Sequence, residues 1–327
     1  MRPPSRPGGP RARLGSGAAI PLLGLGTWEL PRGMEAVAVG AALQAGLRHL
    51  DCASVYGNQA EVGRALGRAL AAGEVARQDL FVTSKLWPAD VAAGRVREAC
   101  LSSLRALQLD RLDLYLMHWP PSGGDSKLLE AWRQMEELVE DGLATSIGVS
   151  NFSRRRLALL LDSPDVRVPP AVNQVEAHPG WRNQKLLDFC KQRAVHMTAY
   201  SPLGRGGALG PEAASLLTSP EVQEAASCWG CSPAQALLRW ALSRGTSAVF
   251  KSSSPENIAA NAAVILEGNC AGPACMVPAK ELGAAAAGLL DRLPQARRVT
   301  GAALVGPGQK HLFSSLAELW EEEGRTE

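Results

Sequence analysis

The chain has 327 residues, 46% of them hydrophobic, with 34 lysines and arginines against 32 aspartates and glutamates and with seven cysteines. That length suits either two average domains or one barrel of eight strand and helix units, which needs about 250 residues or more. The balanced charge excludes a global field that recruits nucleic acid or an anionic membrane; no apolar run approaches the roughly 20 residues of a bilayer span, and the odd scatter of cysteines points to a reducing compartment, read as the cytoplasm.

Residues 1–12 are rich in arginine and proline, contain no acid and lack the apolar core of a secretory signal. They are read as a disordered leader, with a plastid transit remnant as the alternative. From Ile20 onward, short β-branched or leucine-rich runs alternate with helical patterns of about a dozen residues, the signature of βα units and a parallel sheet. The predicted strands are Leu22 to Gly26, Arg48 to Asp51, Leu80 to Ser84, Leu112 to Met117, Thr145 to Val149, Ala171 to Val175, His196 to Tyr200 and Ser247 to Phe250. Between them lie predicted helices such as Ala92 to Ala106 and Leu128 to Glu140, with apolar residues at helical spacing and charges opposite. Eight alternations predict an α/β fold closed into a (β/α)₈ TIM barrel. An open dinucleotide-binding sheet would carry G-x-G-x-x-G after an early strand, and Gly24 and Gly26 have no third glycine at that spacing. Beyond Asn261 the pattern gives way to a loop from Glu267 to Val277, an alanine-rich helix and a last segment ending at Trp320. Residues 13–327 are therefore read as one domain, a barrel with a C-terminal tail. No large apolar surface helix demands a partner, so the chain is read as a monomer.

In such barrels the reactive side chains project from the C-terminal ends of the strands. Applied to the second, third and fourth predicted strands, that filter selects Asp51 and Tyr56, then Lys85, then His118. A phenol with a pKa near ~10 is a poor acid at neutral pH, but an adjacent ammonium lowers that value, and Lys85 can serve so. Asp51 is the carboxylate available to keep a buried lysine charged, and His118 can orient or polarise a carbonyl oxygen beside the phenol. These parts suit protonation of an oxygen that becomes an alkoxide while hydride reaches its carbon.

At these residues the sequence resembles the aldo-keto reductase family, of the aldose and aldehyde reductase kind found in plants or algae. The matching runs, in family order, are Gly24-Leu25-Gly26-Thr27-Trp28, Asp51 through Asn58, Thr83-Ser84-Lys85-Leu86-Trp87, Leu116-Met117-His118-Trp119-Pro120, Gly148-Val149-Ser150-Asn151-Phe152, Val172 through Glu176 and Ala199 through Gly204; Arg298 through Gly301 and Leu319-Trp320 are similar to the family's tail. The resemblance implies a barrel that reduces aldehydes and ketones to alcohols with NADPH, with Tyr56 as general acid, Asp51 and Lys85 supporting it and His118 directing the carbonyl. It implies that Ser150, Asn151 and Gln174 hydrogen-bond the carboxamide, that Tyr200 stacks on the nicotinamide, that Ser201 and Leu203 follow the pyrophosphate and that Lys251 and Ser252 meet the 2′-phosphate. Gly26, Thr27, Trp28 and Asn261 complete the implied cofactor contacts, and Trp28, Trp87, His118 and Trp119 line the substrate pocket.

Three departures qualify the resemblance. Asn257 stands where the family commonly has an arginine facing the adenosine phosphate, Ala260 replaces a glutamate near the adenine, and Phe250 replaces a proline before Lys251; weaker NADPH binding and some use of NADH are expected. The loop after the fourth strand is short, Ser122-Gly123-Gly124-Asp125, which predicts an open pocket and broad selectivity. An insertion after Val264 carries Cys270 and Cys275, and Cys228-Trp229-Gly230-Cys231 has a C-x-x-C spacing that is read as flanking a helix capped by Ser232 rather than as a metal site. Outside the reductase class, the alternatives are a cofactor-binding regulatory subunit with little turnover and a barrel hydrolase or aldolase, for which Lys85 is the one candidate Schiff-base lysine.

Overall fold

A computed structural model describes residues 9–204, 215–266 and 286–296. A hairpin of β1 (Arg11–Arg13) and β2 (Ala19–Pro21) comes first, so Arg11 and Ala12 lie in a strand. Then follow β3 (Leu23–Gly26), α1 (Glu35–Gln44), β4 (His49–Asp51), α2 (Gln59–Ala71), β5 (Phe81–Leu86), α3 (Pro88–Ala92), α4 (Val96–Leu107), β6 (Leu112–Met117), α5 (Gly124–Glu140), β7 (Ala144–Ser150), α6 (Arg154–Asp162), β8 (Val172–Glu176), α7 (Gln184–Gln192), β9 (His196–Tyr200), α8 (Pro220–Cys228), α9 (Pro233–Ser243), β10 (Ser247–Phe250) and α10 (Pro255–Leu266). Strands β3 to β10 pair in parallel and in sequence order, and β10 returns to pair with β3, closing an eight-stranded barrel ringed by helices. The fold is a (β/α)₈ TIM barrel, as predicted.

Each strand alternates its side chains between the two faces of the wall. Outward residues such as Leu50, Val82, Met117, Ile147 and Val175 join helical residues including Leu66, Leu104, Trp132 and Leu237 in the main apolar core. Inward residues divide by height. At the floor, Phe81, Leu114, Leu116 and Val172 pack with Leu14 and Ile20 of the hairpin region, which plugs that end of the barrel. Above them the interior is polar: His49 lies 3.0 Å from Thr83, and Ser247 joins His196 at 3.0 Å and Thr198 at 2.8 Å. At the upper end sit the inward side chains that carry chemistry.

Several strands shift by one or two residues at an end, and two helices begin elsewhere than predicted. The predicted helix Ala92 to Ala106 is α4, which begins four residues later at Val96; Ala92 instead ends the separate short α3, and Gly94 between them has a φ of 66° that no continuous helix accommodates. Helix α5 starts at Gly124, four residues before the predicted Leu128, because the short loop after β6 leads straight into it. Ser232 caps α9 as predicted, accepting from Gln235 N while Gln235 Oε1 accepts from Ser232 N, with Pro233 in the first turn. The Cys270 and Cys275 insertion and the tail from Arg298 to Trp320 lie outside the described residues. Before that tail, the described residues 286–296 meet the loop after β8: Arg182 N donates to Gln295 Oε1 at 2.7 Å, and Gln295 Nε2 donates to Pro179 O at 2.8 Å.

Candidate active site

Asp51 ends β4, Lys85 is the fifth residue of β5, and His118 follows β6, so neighbouring strands present all three side chains at the same end of the barrel. Tyr56 joins them from a single helical turn, Ser54–Tyr56, between β4 and α2. Lys85 is fully buried. Its Nζ donates to Asp51 Oδ2 at 2.7 Å, to Cys52 O at 3.1 Å and to Tyr56 OH at 3.1 Å. The His118 ring meets Tyr56 edge-on at 5.8 Å and Trp87 at 5.2 Å, and the Trp28 ring lies 6.4 Å from Tyr56.

Burial disfavours the Lys85 ammonium, but Asp51 and Tyr56 beside it outweigh that penalty and raise its pKa. It is a cation at neutral pH. Burial also drives the His118 pKa well below the ordinary histidine value, helped by the positive charge of Lys85, so the imidazole is neutral. The phenol corrects an expectation. Burial pushes the Tyr56 pKa up to about 12, and the opposing pull of Lys85, from which the sequence suggested a lowered value, does not offset the cost of a desolvated phenolate.

Around the rim from this quartet, β7 to β10 carry the remaining candidates. Ser150, Asn151 and Gln174 are buried, and Tyr200 is half-buried at the end of β9. Residues linked by hydrogen bonds connect Tyr200 to Tyr56. Tyr200 OH donates to Asn151 Oδ1 at 2.8 Å, Asn151 Nδ2 to Ser150 Oγ at 3.2 Å, Ser150 Oγ to Gln174 O at 2.8 Å and Gln174 Nε2 to Asp51 Oδ1 at 2.8 Å, from which Lys85 leads to Tyr56. Thr27 also touches the quartet, its hydroxyl donating to Asp51 O at 3.0 Å. Gly26 closes β3, and Trp28 is among the few large apolar side chains left exposed, whereas Trp87 is half-buried and Trp119 buried. Ser201 and Leu203 follow β9, Ser201 with a φ of 48°. Lys251 and Ser252 follow β10, with Lys251 exposed; Ser254 caps α10 by accepting from Asn257 N at 3.2 Å, and Asn261 is buried in that helix.

A family model, the aldo/keto reductase family, matches residues 22–267. The chain belongs to the aldo/keto reductase family. It is 40% identical over 323 residues to aldo-keto reductase family 4 member C11 of Arabidopsis thaliana, covering 95% of this chain and 97% of that one. It is 41% identical over 268 residues to the human aldo-keto reductase family 1 member A1, covering 76% and 82%. A solved aldose reductase from Schistosoma japonicum superposes with a TM-score of 0.76 at 37% identity, covering 89% of this chain and 94% of that one. The family makes this reductase an oxidoreductase of small carbonyl compounds. No helix among its described residues is long and apolar enough to cross a membrane, and no cluster of three or more metal-ligating side chains occurs among them.

The donor set of this aldo/keto reductase fits a nicotinamide cofactor. Buried amides and a hydroxyl at Ser150, Asn151 and Gln174 match a carboxamide, the half-buried Tyr200 ring matches a planar heterocycle, and an exposed ammonium at Lys251 beside a helix start matches a phosphate. The residue reading missed one group: the buried polar cluster of Asn58, Gln59, Ser84 and Ser103 behind the quartet. Its only signal is a pair of amides at the start of an amphipathic helix, where polar residues normally face water.

Proposed function

We propose that this reductase converts aldehydes and ketones to alcohols with NADPH and that Tyr56 supplies the proton. The observation that carries the proposal is the direction of one hydrogen bond. A protonated Lys85 has three N–H groups and no lone pair, so each of its three contacts is a donation, and Tyr56 OH at 3.1 Å accepts. The phenolic hydrogen is then directed away from Lys85 and is available to a carbonyl oxygen at the barrel mouth. The high phenol pKa keeps that proton in place until negative charge develops on the substrate oxygen.

NADPH, when bound, supplies the hydride to the carbonyl carbon; Ser150, Asn151, Gln174 and Tyr200 hold its nicotinamide end, and Gly26, Thr27, Trp28, Ser201, Leu203, Lys251, Ser252 and Asn261 complete its site. The neutral His118 imidazole gives the carbonyl oxygen a second donor. Its Nδ1 is sealed in the protein without a partner among the described residues, which leaves Nε2 to meet substrate. As the proton leaves Tyr56, the Lys85 charge, fixed by Asp51, stabilises the phenolate. Trp28, Trp87 and Trp119 wall the apolar part of the pocket, suiting an alkyl or aryl carbonyl compound. With a neutral Asn257 in the first turn of α10, Lys251 is the principal cation for the adenosine phosphate, so NADH is also accepted. Y56F tests the proposal: turnover is lost while NADPH, followed by quenching of tryptophan fluorescence, binds as before. Substantial turnover in Y56F refutes Tyr56 as the acid.

A further inference from the structure

A polar cluster on the outer side of the barrel wall, behind Lys85, takes no part in the chemistry above. Gln59, the first residue of α2, is buried; its Oε1 accepts from Ser84 Oγ at 2.6 Å and its Nε2 donates to Ser103 Oγ at 3.3 Å. Ser84 immediately precedes Lys85 on β5, and Ser103 lies in α4, both fully enclosed. Because successive strand residues face opposite ways, Ser84 points outward toward α2 while Lys85 points into the barrel. Gln59 lies three residues after Tyr56, separated from it by Gly57 and Asn58. Asn58 is buried too and donates from Nδ2 to Thr27 O, just beyond β3, at 2.8 Å. The loop that carries Tyr56 leaves the end of β4 and is thus tied to the strand on either side, by Asn58 toward β3 and by Gln59 to β5.

Burying an amide costs free energy unless it is hydrogen-bonded, and Gln59 directs its carbonyl to the strand residue adjoining the lysine that holds the phenol. We propose that Gln59 is a positioning residue for the proton donor: its bond to Ser84 sets the reach of Tyr56 OH to Lys85 and so the rate of proton delivery. Proton transfer needs heavy atoms about 2.6–3.2 Å apart, and a misplacement of about 1 Å lowers rates about 100-fold. The inference rests on Tyr56 being the acid.

Three variants isolate the link. Gln59→Met removes both bonds of the amide at similar length, Ser84→Ala removes the same link from the strand side together with a longer contact to Ser103 Oγ at 3.5 Å, and Ser103→Ala removes the contacts of Gln59 and Ser84 to α4 while keeping the bond between them. With NADPH and glyceraldehyde, kcat is expected to fall by about tenfold or more in Q59M and S84A. The NADPH Kd from fluorescence stays unchanged in both, while the solvent deuterium isotope effect on kcat rises because proton transfer slows. S103A loses thermal stability but keeps the wild-type kcat and isotope effect. Gln59→Glu restores kcat, since both serine hydroxyls can donate to a carboxylate. The proposal is overturned if Q59M and S84A lose no more kcat than S103A, or if their isotope effect stays at the wild-type value. Y56F is assayed alongside: an active Y56F removes the acid assignment itself, whereas an inactive Y56F with normal Q59M and S84A removes only the positioning role.

Discussion

Lys85 uses every donor it has, on Asp51, Cys52 and Tyr56, and is therefore held by a carboxylate, a main-chain carbonyl and a phenol at once. Such full satisfaction is what allows a charge to be this buried. That these four side chains meet was legible in the sequence, since Asp51 ends β4, Lys85 lies one residue from the end of β5, and Tyr56 and His118 follow strands at the mouth of the barrel. The protonation balance was not, because desolvation depends on everything packed around a group, and it carries Tyr56 above its ordinary pKa against the pull of Lys85. The far end of the cofactor site offers a test at a single residue. Asn257 sits in the first turn of α10, with its N–H bound to the Ser254 hydroxyl and its neutral side chain exposed. Replacing it with arginine adds a cation that can pair with phosphate through two bonds. The preference for NADPH over NADH, measured as the ratio of kcat/KM values, is expected to rise about tenfold, equivalent to about 1.4 kcal/mol.

Strand ranges were read most faithfully where turn residues bound them: Leu112–Met117, His196–Tyr200 and Ser247–Phe250 are as predicted. Helix starts were harder. Ala92 and Ala93 read as the start of the helix that begins instead at Val96, because the backbone conformation at Gly94, which composition does not announce, separates α4 from α3. The contact between α2 and α4 was equally illegible. A Cβ on Gly63 would sit 2.2 Å from Ala106 O and 2.8 Å from Leu107 Cα, so the glycine lets the two helix backbones approach. Gly63→Ala is therefore expected to lower the stability measured by urea unfolding by about 1–3 kcal/mol. Because α2 begins at Gln59, kcat should fall as well, whereas a matching loss from Ser232→Ala in the distant α9 cap should leave kcat unchanged.

For the molecule as a whole, buried imidazoles weaken the fold in acid: His118 at the mouth of the barrel, and His49 and His196 inside its wall. Burial holds His49 and His196 down to about 4, against an ordinary value of 6.5. A depressed histidine pKa means that the unfolded chain binds the proton first. The stabilisation is complete above about pH 6.5 and is lost progressively as pH falls toward 4, by up to about 1.4 kcal/mol per pH unit for each ring. Urea midpoints taken at pH 7, 6 and 5 should fall in that order, and His196→Gln, which keeps a polar partner for Ser247 but cannot titrate, should flatten the decline. A pH-independent midpoint over that interval would remove the histidines as its cause. The closure of β10 onto β3 has a consequence of timing. A growing chain cannot complete its barrel until Ser247–Phe250 has left the ribosome, and until then β3 and β9 stand as unpaired edges beside exposed apolar faces. Chaperone demand during synthesis should therefore be greatest just before those four residues emerge.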